Sequence, residues 1–503
     1  MRKIYTFLAV AVMLFFTALA SAQEPVTLKV TRGNRDVVNI SNPTIVGIAN
    51  PTDKVTVNGT PVHVYKTGSW GAPLQLKEGD NTIHVVSEGN TTQELKFNMV
   101  YDPDYKMPVD PQKVEQEKKE ATFYPTNLIV TTKQYAYLNY GAGADRLGGA
   151  KINYLPQGID LTAEAENSKL YRVRLSQNRS AYIPKDMVEI KGKATPSVDF
   201  MQDNVVLSTT FSVSNNGNAD RVTVRMDKKK PFIVKEYANP HKIVLDLYGV
   251  QCNTNWITHY QNLKSIDNVD VEGLDTDVTR VTIYLKSKTS WGYTFDYNGS
   301  SLNIDIKHTP ANLTLKGLTI GIDAGHGGPK SSGAVSNTGI KEKDVNLKLT
   351  YILKDLLEKE GAKVVLSRES DVAMTMRERQ DIFIEKGADI VLSIHNNAGG
   401  DPIETGGSST YYRYNVYRPL AEAIQGKLLA IKGVKDYGIT GNFNFSLSAI
   451  TDFPCVLVET LFMSNLWDEE QLADPLMHKK LMENVAAGLK EYLNYCKKAE
   501  GIK

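Results

Sequence analysis

The stretch Gly321-Ile322-Asp323-Ala324-Gly325-His326-Gly327-Gly328 sets a single histidine in a glycine-rich turn, directly after the apolar run Leu318 to Ile322. Such a run reads as a buried strand, and the glycines as its abrupt end. Two further apolar runs end on ionisable residues: "DIVLSI" (389–394) leads into His395, and "PCVLV" (454–458) into Glu459. Between the first two, Glu342 opens a helical pattern and could bend back towards His326. Two histidines and a carboxylate with one open position make a catalytic zinc shell, tetrahedral with Zn–N of about 2.0–2.1 Å. Zinc lowers the pKa of its bound water from 15.7 to roughly 7 and polarises a scissile carbonyl. A second carboxylate must then move the proton. Glu459 is the candidate, taking it from the water and returning it to the leaving amine. Singly, each residue has a plainer reading, since a histidine after a strand is usually a bonded turn residue and a glutamate in a first helical turn favours the dipole. Their joint placement points to metal-assisted hydrolysis.

The elements that must position these groups follow from periodicity. Val345, Leu349, Ile352, Leu353, Leu356 and Leu357 recur at helical spacing, which predicts a helix over 343–359 ended by Gly361. A strand over 362–366, a helix over 375–385 and a strand over 389–394 come next. Then a helix over 418–431, a strand over 454–458 and a last helix opened by Asp474-Pro475 complete the pattern. Alternating strands and helices predict an α/β domain with a mostly parallel sheet flanked by helices, whose sites lie at the carboxyl ends of the strands.

At 503 residues the chain exceeds one hydrophobic core, and a prior of ~100–200 residues per domain predicts three or four domains. Arg2 and Lys3, the apolar stretch Phe7 to Leu19 and Ala20-Ser21-Ala22 read as a secretory signal peptide over 1–22, leaving no membrane span in the mature protein. The expected location is outside the cytoplasm: periplasm, cell envelope or medium. The formal net charge of +1 gives no field that favours nucleic acid. Cys252, Cys455 and Cys496 are too few and too widely spaced for a disulfide framework or a cysteine zinc cluster, and Cys455 reads as a buried thiol. Alternating segments and turn signals predict small all-β modules over 23–101, 122–191 and 192–312. The proline-punctuated, charged stretch 102–121 is expected to be a linker, with a solvated helix in its second half as the alternative. His241 in the third module is expected to be a satisfied surface histidine.

The motifs "IGIDAGHGG", "GIKEKDVNL", "LSIHNNA" and "VLVETLFMSN" resemble, in order and spacing, those of zinc-dependent N-acetylmuramoyl-L-alanine amidases, over roughly Leu313 to Tyr495, so 313–503 is expected to be the catalytic domain. That resemblance implies zinc (Zn2+) held by His326, Glu342 and His395, with Glu459 as the catalytic carboxylate. The implied substrate is peptidoglycan, cut at the amide between the lactyl group of N-acetylmuramic acid and L-alanine, in wall remodelling or daughter-cell separation. Segment 23–101 resembles immunoglobulin-like modules, 122–191 bacterial SH3-like barrels and 192–312 an amidase wall-targeting sandwich, so the β modules are expected to contact wall or divisome proteins. Asp323 is expected to orient the turn or a ligand. Arg379 corresponds to a motif arginine read as an ion-pair partner, and Asn396 stands where the family often has alanine. The segment 398–454 has little spare length for a helix that would cover the zinc, so the resting site is expected to be open. The glycines around His326 are expected to keep the approach wide enough for a bulky muramyl peptide. Two rivals remain: a zinc carboxypeptidase or endopeptidase using the same ligands, and an inactive wall-binding scaffold, against which the intact Glu459 argues.

Overall fold

The computed structural model describes residues 26–145, 147–194 and 205–502. The expected signal peptide lies outside them. No helix among the described residues is long and apolar enough to cross a membrane.

The chain is multidomain, with strands throughout its N-terminal part and helices packed on a sheet in its C-terminal part. Residues 29–101 form a three-stranded and a five-stranded sheet around a core that includes Ile45, Trp70, Val85 and Met99. Pro111–Ala121 is a helix with Asp110 as its N-cap and no buried residue, so the second half of the expected linker is a solvated helix. Residues 124–193 form a seven-stranded sheet, and 206–307 fold into sheets of two, five and four strands. These two regions bury their apolar residues in one continuous cluster running from Val130 to Ile306. His241 is buried rather than at the surface, bonded at Nδ1 to the Ser287 carbonyl (2.6 Å) and at Nε2 to Glu236 (2.9 Å).

In the C-terminal part the elements run β1 (Thr319–Ala324), α1 (Glu342–Lys359), β2 (Lys363–Leu366), α2 (Met376–Glu385), β3 (Ile390–Asn397), β4 (Ser408–Tyr412), α3 (Arg418–Leu429), β5 (Asp436–Thr440), β6 (Cys455–Phe462), α4 (Leu466–Leu472) and α5 (Pro475–Glu500). They build one sheet in the order β2-β1-β3-β6-β4-β5. Four neighbouring pairs are parallel, but β4 runs antiparallel to β6, so the sheet is mixed. The polar sequence of β4, Ser-Ser-Thr-Tyr-Tyr, hides it from a hydrophobicity reading, yet all five residues are buried. The Ser408 hydroxyl donates to the Thr460 carbonyl (2.5 Å) and the Thr410 hydroxyl to the Ala421 carbonyl (3.1 Å). With those groups satisfied, burial carries little desolvation cost.

The two faces of the sheet divide the work. Leu392, Ile394, Val456 and Val458 face a core shared with Leu349 and Leu353 of α1, Ile424 of α3 and Leu489 of α5. Val391 and Cys455 face a smaller core with Phe383 of α2 and Phe453. His395 and Glu459 continue the α2 side, by strand alternation, to the carboxyl edge.

Candidate metal centre and active site

The register of the sheet assembles the site. Ala324 lies opposite Ile394 in β1–β3, and His395 lies opposite Glu459 in β3–β6. Ser409 in turn lies opposite Glu459 in β4–β6. After Ala324 the chain leaves β1 through a turn in which His326 has φ 62°, a left-handed conformation uncommon for a residue with a side chain. Three donors hold that turn by its carbonyls. Arg368 Nε donates to Ala324 O (2.9 Å) and its Nη2 to Gly325 O (3.0 Å). Arg379 donates from Nη1 to Ala324 O (2.8 Å) and from Nη2 to His326 O (2.7 Å). Asn346 Nδ2 donates to Gly325 O (3.2 Å). Arg379 and Asp323 are 1% and 0% exposed and form an ion pair, and the Ser393 hydroxyl donates to the other Asp323 oxygen (2.6 Å). Asp323 and Arg379 thus act together on the His326 turn. Sequence reasoning missed Arg368, which follows a short strand and belongs to none of the four motifs.

The glycines of the turn have a different use from the one expected. A Cβ on Gly325 would stand 2.3 Å from the His395 ring, one on Gly327 2.3 Å from the Val372 carbonyl, and one on Gly328 2.7 Å from Ala373. Protein atoms fill the space they leave, so these glycines admit close packing and do not widen a path for substrate.

His326, Glu342 and His395 come together. Their ligand atoms all lie within 4.8 Å of one another, and the trio can hold a metal ion. His326 Nε2 is 3.2 Å from Glu342 Oε2, and His395 Nδ1 is 3.0 Å from Glu342 Oε1. Ligands about 2.0–2.1 Å from a tetrahedral ion stand roughly 3.3 Å apart, close to these two nitrogen–carboxylate separations. Glu342 is buried at the first position of α1, where the helix dipole favours a carboxylate. Its Oε2 accepts from Ala334 N (2.8 Å), and its Oε1 from Asn346 Nδ2 and Asn396 N (both 3.2 Å). Burial alone would raise the Glu342 carboxyl, but the bonds and charges of His326 and His395 outweigh it and hold the group well below the carboxylate range. For His395, burial disfavours the charged form, and the Glu342 contact overrides it to raise the imidazole above its ordinary value.

Glu459 lies beside this trio on β6, and its charge acts on both His395 and Tyr411. The Tyr411 hydroxyl accepts from Asn397 Nδ2 (3.1 Å) and Ser409 Oγ (3.2 Å), and its ring packs on Phe443. Phe445 meets the His395 ring edge-on at 6.0 Å. The helix in segment 398–454, α3, turns its buried Leu420, Ile424 and Leu428 to the opposite face of the sheet. His326 keeps 31% of its side chain exposed. The three N-terminal regions dock around this part: Thr44 Oγ1 of the first donates to Asp401 (2.6 Å), Asn444 Nδ2 donates to Gly149 O of the second (2.5 Å) and Thr451 Oγ1 to Tyr293 O of the third (2.7 Å).

Residues 320–491 match the N-acetylmuramoyl-L-alanine amidase family, and residues 211–306 match the AMIN domain. Among curated proteins, the chain is 34% identical over 182 residues to the uncharacterized protein YqiI of Bacillus subtilis, covering 35% of this chain and 86% of YqiI. It is 37% identical over 180 residues to the N-acetylmuramoyl-L-alanine amidase LytC of the same organism, covering 35% of this chain but only 36% of LytC. Among solved structures, the N-acetylmuramoyl-L-alanine amidase AmiC2 of Nostoc punctiforme matches at 32% identity with a TM-score of 0.34, over 35% of this chain and 97% of that one. Through its C-terminal part, the chain belongs to the N-acetylmuramoyl-L-alanine amidase family of peptidoglycan hydrolases.

Proposed function

We propose that this protein is an exported, zinc-dependent amidase that cuts the bond between the lactyl group of N-acetylmuramic acid and the L-alanine of the stem peptide. The observation that carries this reading is the convergence of His326, Glu342 and His395 within 4.8 Å, with Glu459 in register beside His395. Zinc bound by those three side chains would supply a water acidified to near neutrality and a Lewis acid for the amide carbonyl. Glu459 takes the proton released as the water oxygen bonds to the carbonyl carbon, and delivers it to the alanine nitrogen as the C–N bond breaks. Arg368, Arg379 and Asn346 hold the His326 turn, so the first imidazole meets the ion without reorganisation. The exposure of His326 supports a site open in the resting state.

The three β regions, at 23–101, 122–191 and 192–312, serve in this reading as wall- or protein-binding modules that bring the catalytic part to its polymer. The AMIN match over 211–306 supports such a role for the third. An envelope location, periplasmic or outside the cell, follows from the substrate.

Mass spectrometry of peptidoglycan digested by the full chain tests the reading. The expected products are intact stem peptides with a free L-alanine amine and unsubstituted glycan strands. Shortened stems still attached to glycan would identify a carboxypeptidase or endopeptidase, and no release at all an inactive scaffold.

A further inference from the structure

Behind the metal trio, on the face of the sheet turned to α1, lies a buried polar chain of which the chemistry above uses only the Asn346 end. The Thr460 hydroxyl donates to Asn396 Oδ1 at 2.5 Å, and Asn396 Nδ2 donates to Asn346 Oδ1 at 2.8 Å. Asn346 Nδ2 then donates to Glu342 Oε1 and to the Gly325 carbonyl, each at 3.2 Å. Asn346, Asn396 and Thr460 are 0%, 2% and 0% exposed. The two ends of this chain touch both halves of the site. Thr460 adjoins Glu459 on β6, and the Asn346 amide holds one oxygen of Glu342 together with the turn that carries His326.

The polarity of the chain is fixed. The Glu342 carboxylate and the Gly325 carbonyl only accept, so Asn346 turns its NH2 to them and its carbonyl to Asn396, whose NH2 completes the chain. A flipped Asn346 amide would set NH2 against NH2 and oxygen against the Glu342 carboxylate, two repulsive contacts in a site without solvent. The backbone N–H of Asn396 also donates to Glu342 Oε1 (3.2 Å), so residue 396 acts on that oxygen twice, directly and through Asn346. At this point β3 and β6 fall out of register between His395 and Asn397, an irregularity of the kind that re-aims side chains beside active sites.

We propose that Asn396 is a positioning residue for the metal centre: it ties the Asn346 amide, and through it the Glu342 carboxylate and the His326 turn, to Thr460 on the strand that carries Glu459. This rests on the assignment of His326, Glu342 and His395 as metal ligands.

The test measures zinc affinity of the full chain, with zinc alone as the probe and a chromophoric chelator as competitor, beside the urea midpoint. Asn396→Ala is expected to weaken zinc binding ~10-fold, the low end of the range for loss of a direct partner of a metal ligand, because the side chain reaches Glu342 through Asn346 while its backbone N–H still donates to that oxygen. It should also lower the urea midpoint, because the Thr460 hydroxyl and the Asn346 carbonyl lose their partners. Adding Thr460→Val to Asn396→Ala removes one of those orphans, so the midpoint should recover in part while zinc binding stays weak. Thr460→Ser keeps the hydroxyl and should bind zinc as the parent does. Zinc affinity within twofold of the parent in both Asn396 variants, or affinity that recovers in step with the urea midpoint, overturns the proposal. His326→Ala serves as the control: if it too leaves zinc affinity unchanged, the ligand assignment itself is wrong.

Discussion

Gly325 lies against the imidazole of His395, so close that a Cβ on the glycine would stand 2.3 Å from both Cε1 and Nε2 of the ring. The turn that carries His326 is therefore packed on the His395 ring, with no room for a methyl group between them. Gly325→Ala is expected to push His395 away from Glu342 and to weaken zinc binding at least ~10-fold, with an overpacking cost of about 1–3 kcal/mol. Gly339→Ala is the contrast at open space, where a Cβ would meet nothing within 4 Å. Its φ of 93° makes it a control for backbone strain alone, expected to lower stability and leave zinc affinity unchanged. Equal zinc affinities in the parent and Gly325→Ala would refute the packing argument.

The buried Asp323–Arg379 pair predicts an asymmetric mutational response. Arg379→Ala strands a carboxylate that is 0% exposed and releases the Ala324 and His326 carbonyls, so a loss of about 3–5 kcal/mol is expected in urea unfolding. Arg379→Lys keeps the charge but offers a single ammonium where the guanidinium serves four acceptors, and should recover only part of that loss. Full recovery by lysine would show that charge alone matters at this position.

Glu459 separates chemistry from binding. Glu459→Gln keeps the shape of the side chain and removes its capacity to carry a proton. Amidase turnover should fall by about 10²–10⁴-fold, the usual contribution of a general acid–base group, with zinc content and urea midpoint close to those of the parent. A variant that still releases stem peptides at the parental rate would remove Glu459 from the proton path.

The parts of this architecture legible in the sequence are those where burial is written as apolar periodicity. Val345, Leu349, Leu353 and Leu357 are fully buried in α1 as their spacing predicts, and the apolar runs before His326, His395 and Glu459 are neighbouring strands. What stayed hidden is polar. Strand β4 satisfies buried hydroxyls instead of burying aliphatic chains, so no alternation marks it. Arg368 and Asn346 act on backbone carbonyls of a turn brought near by the fold, and no local spacing encodes that contact. The glycines of the turn were legible as glycines, but what fills the space beside them, the His395 ring, the Val372 carbonyl and Ala373, depends on tertiary packing.

Asp468 predicts a pH dependence of stability that is independent of the metal centre. Its side chain is buried at the start of α4 and accepts from Gly407 N (2.7 Å) and Phe462 N (2.8 Å), tying the start of β4 to the end of β6. Burial dominates those bonds and raises its carboxyl to about 6. An unfolded aspartate titrates near 3.9, so between about pH 4 and 6 the folded chain binds a proton that the unfolded chain has released. Stability from this group is therefore greatest below about pH 4 and declines as pH rises through about 6, by up to about 3 kcal/mol. Asp468→Asn stays neutral throughout and still offers an oxygen to the two N–H groups. In urea titrations at pH 4 and pH 7, the variant is expected to lack this decline and to be more stable than the parent at pH 7. A parent and variant with the same pH dependence would mean that Asp468 stays ionised in the fold, held by its two backbone donors against the cost of burial.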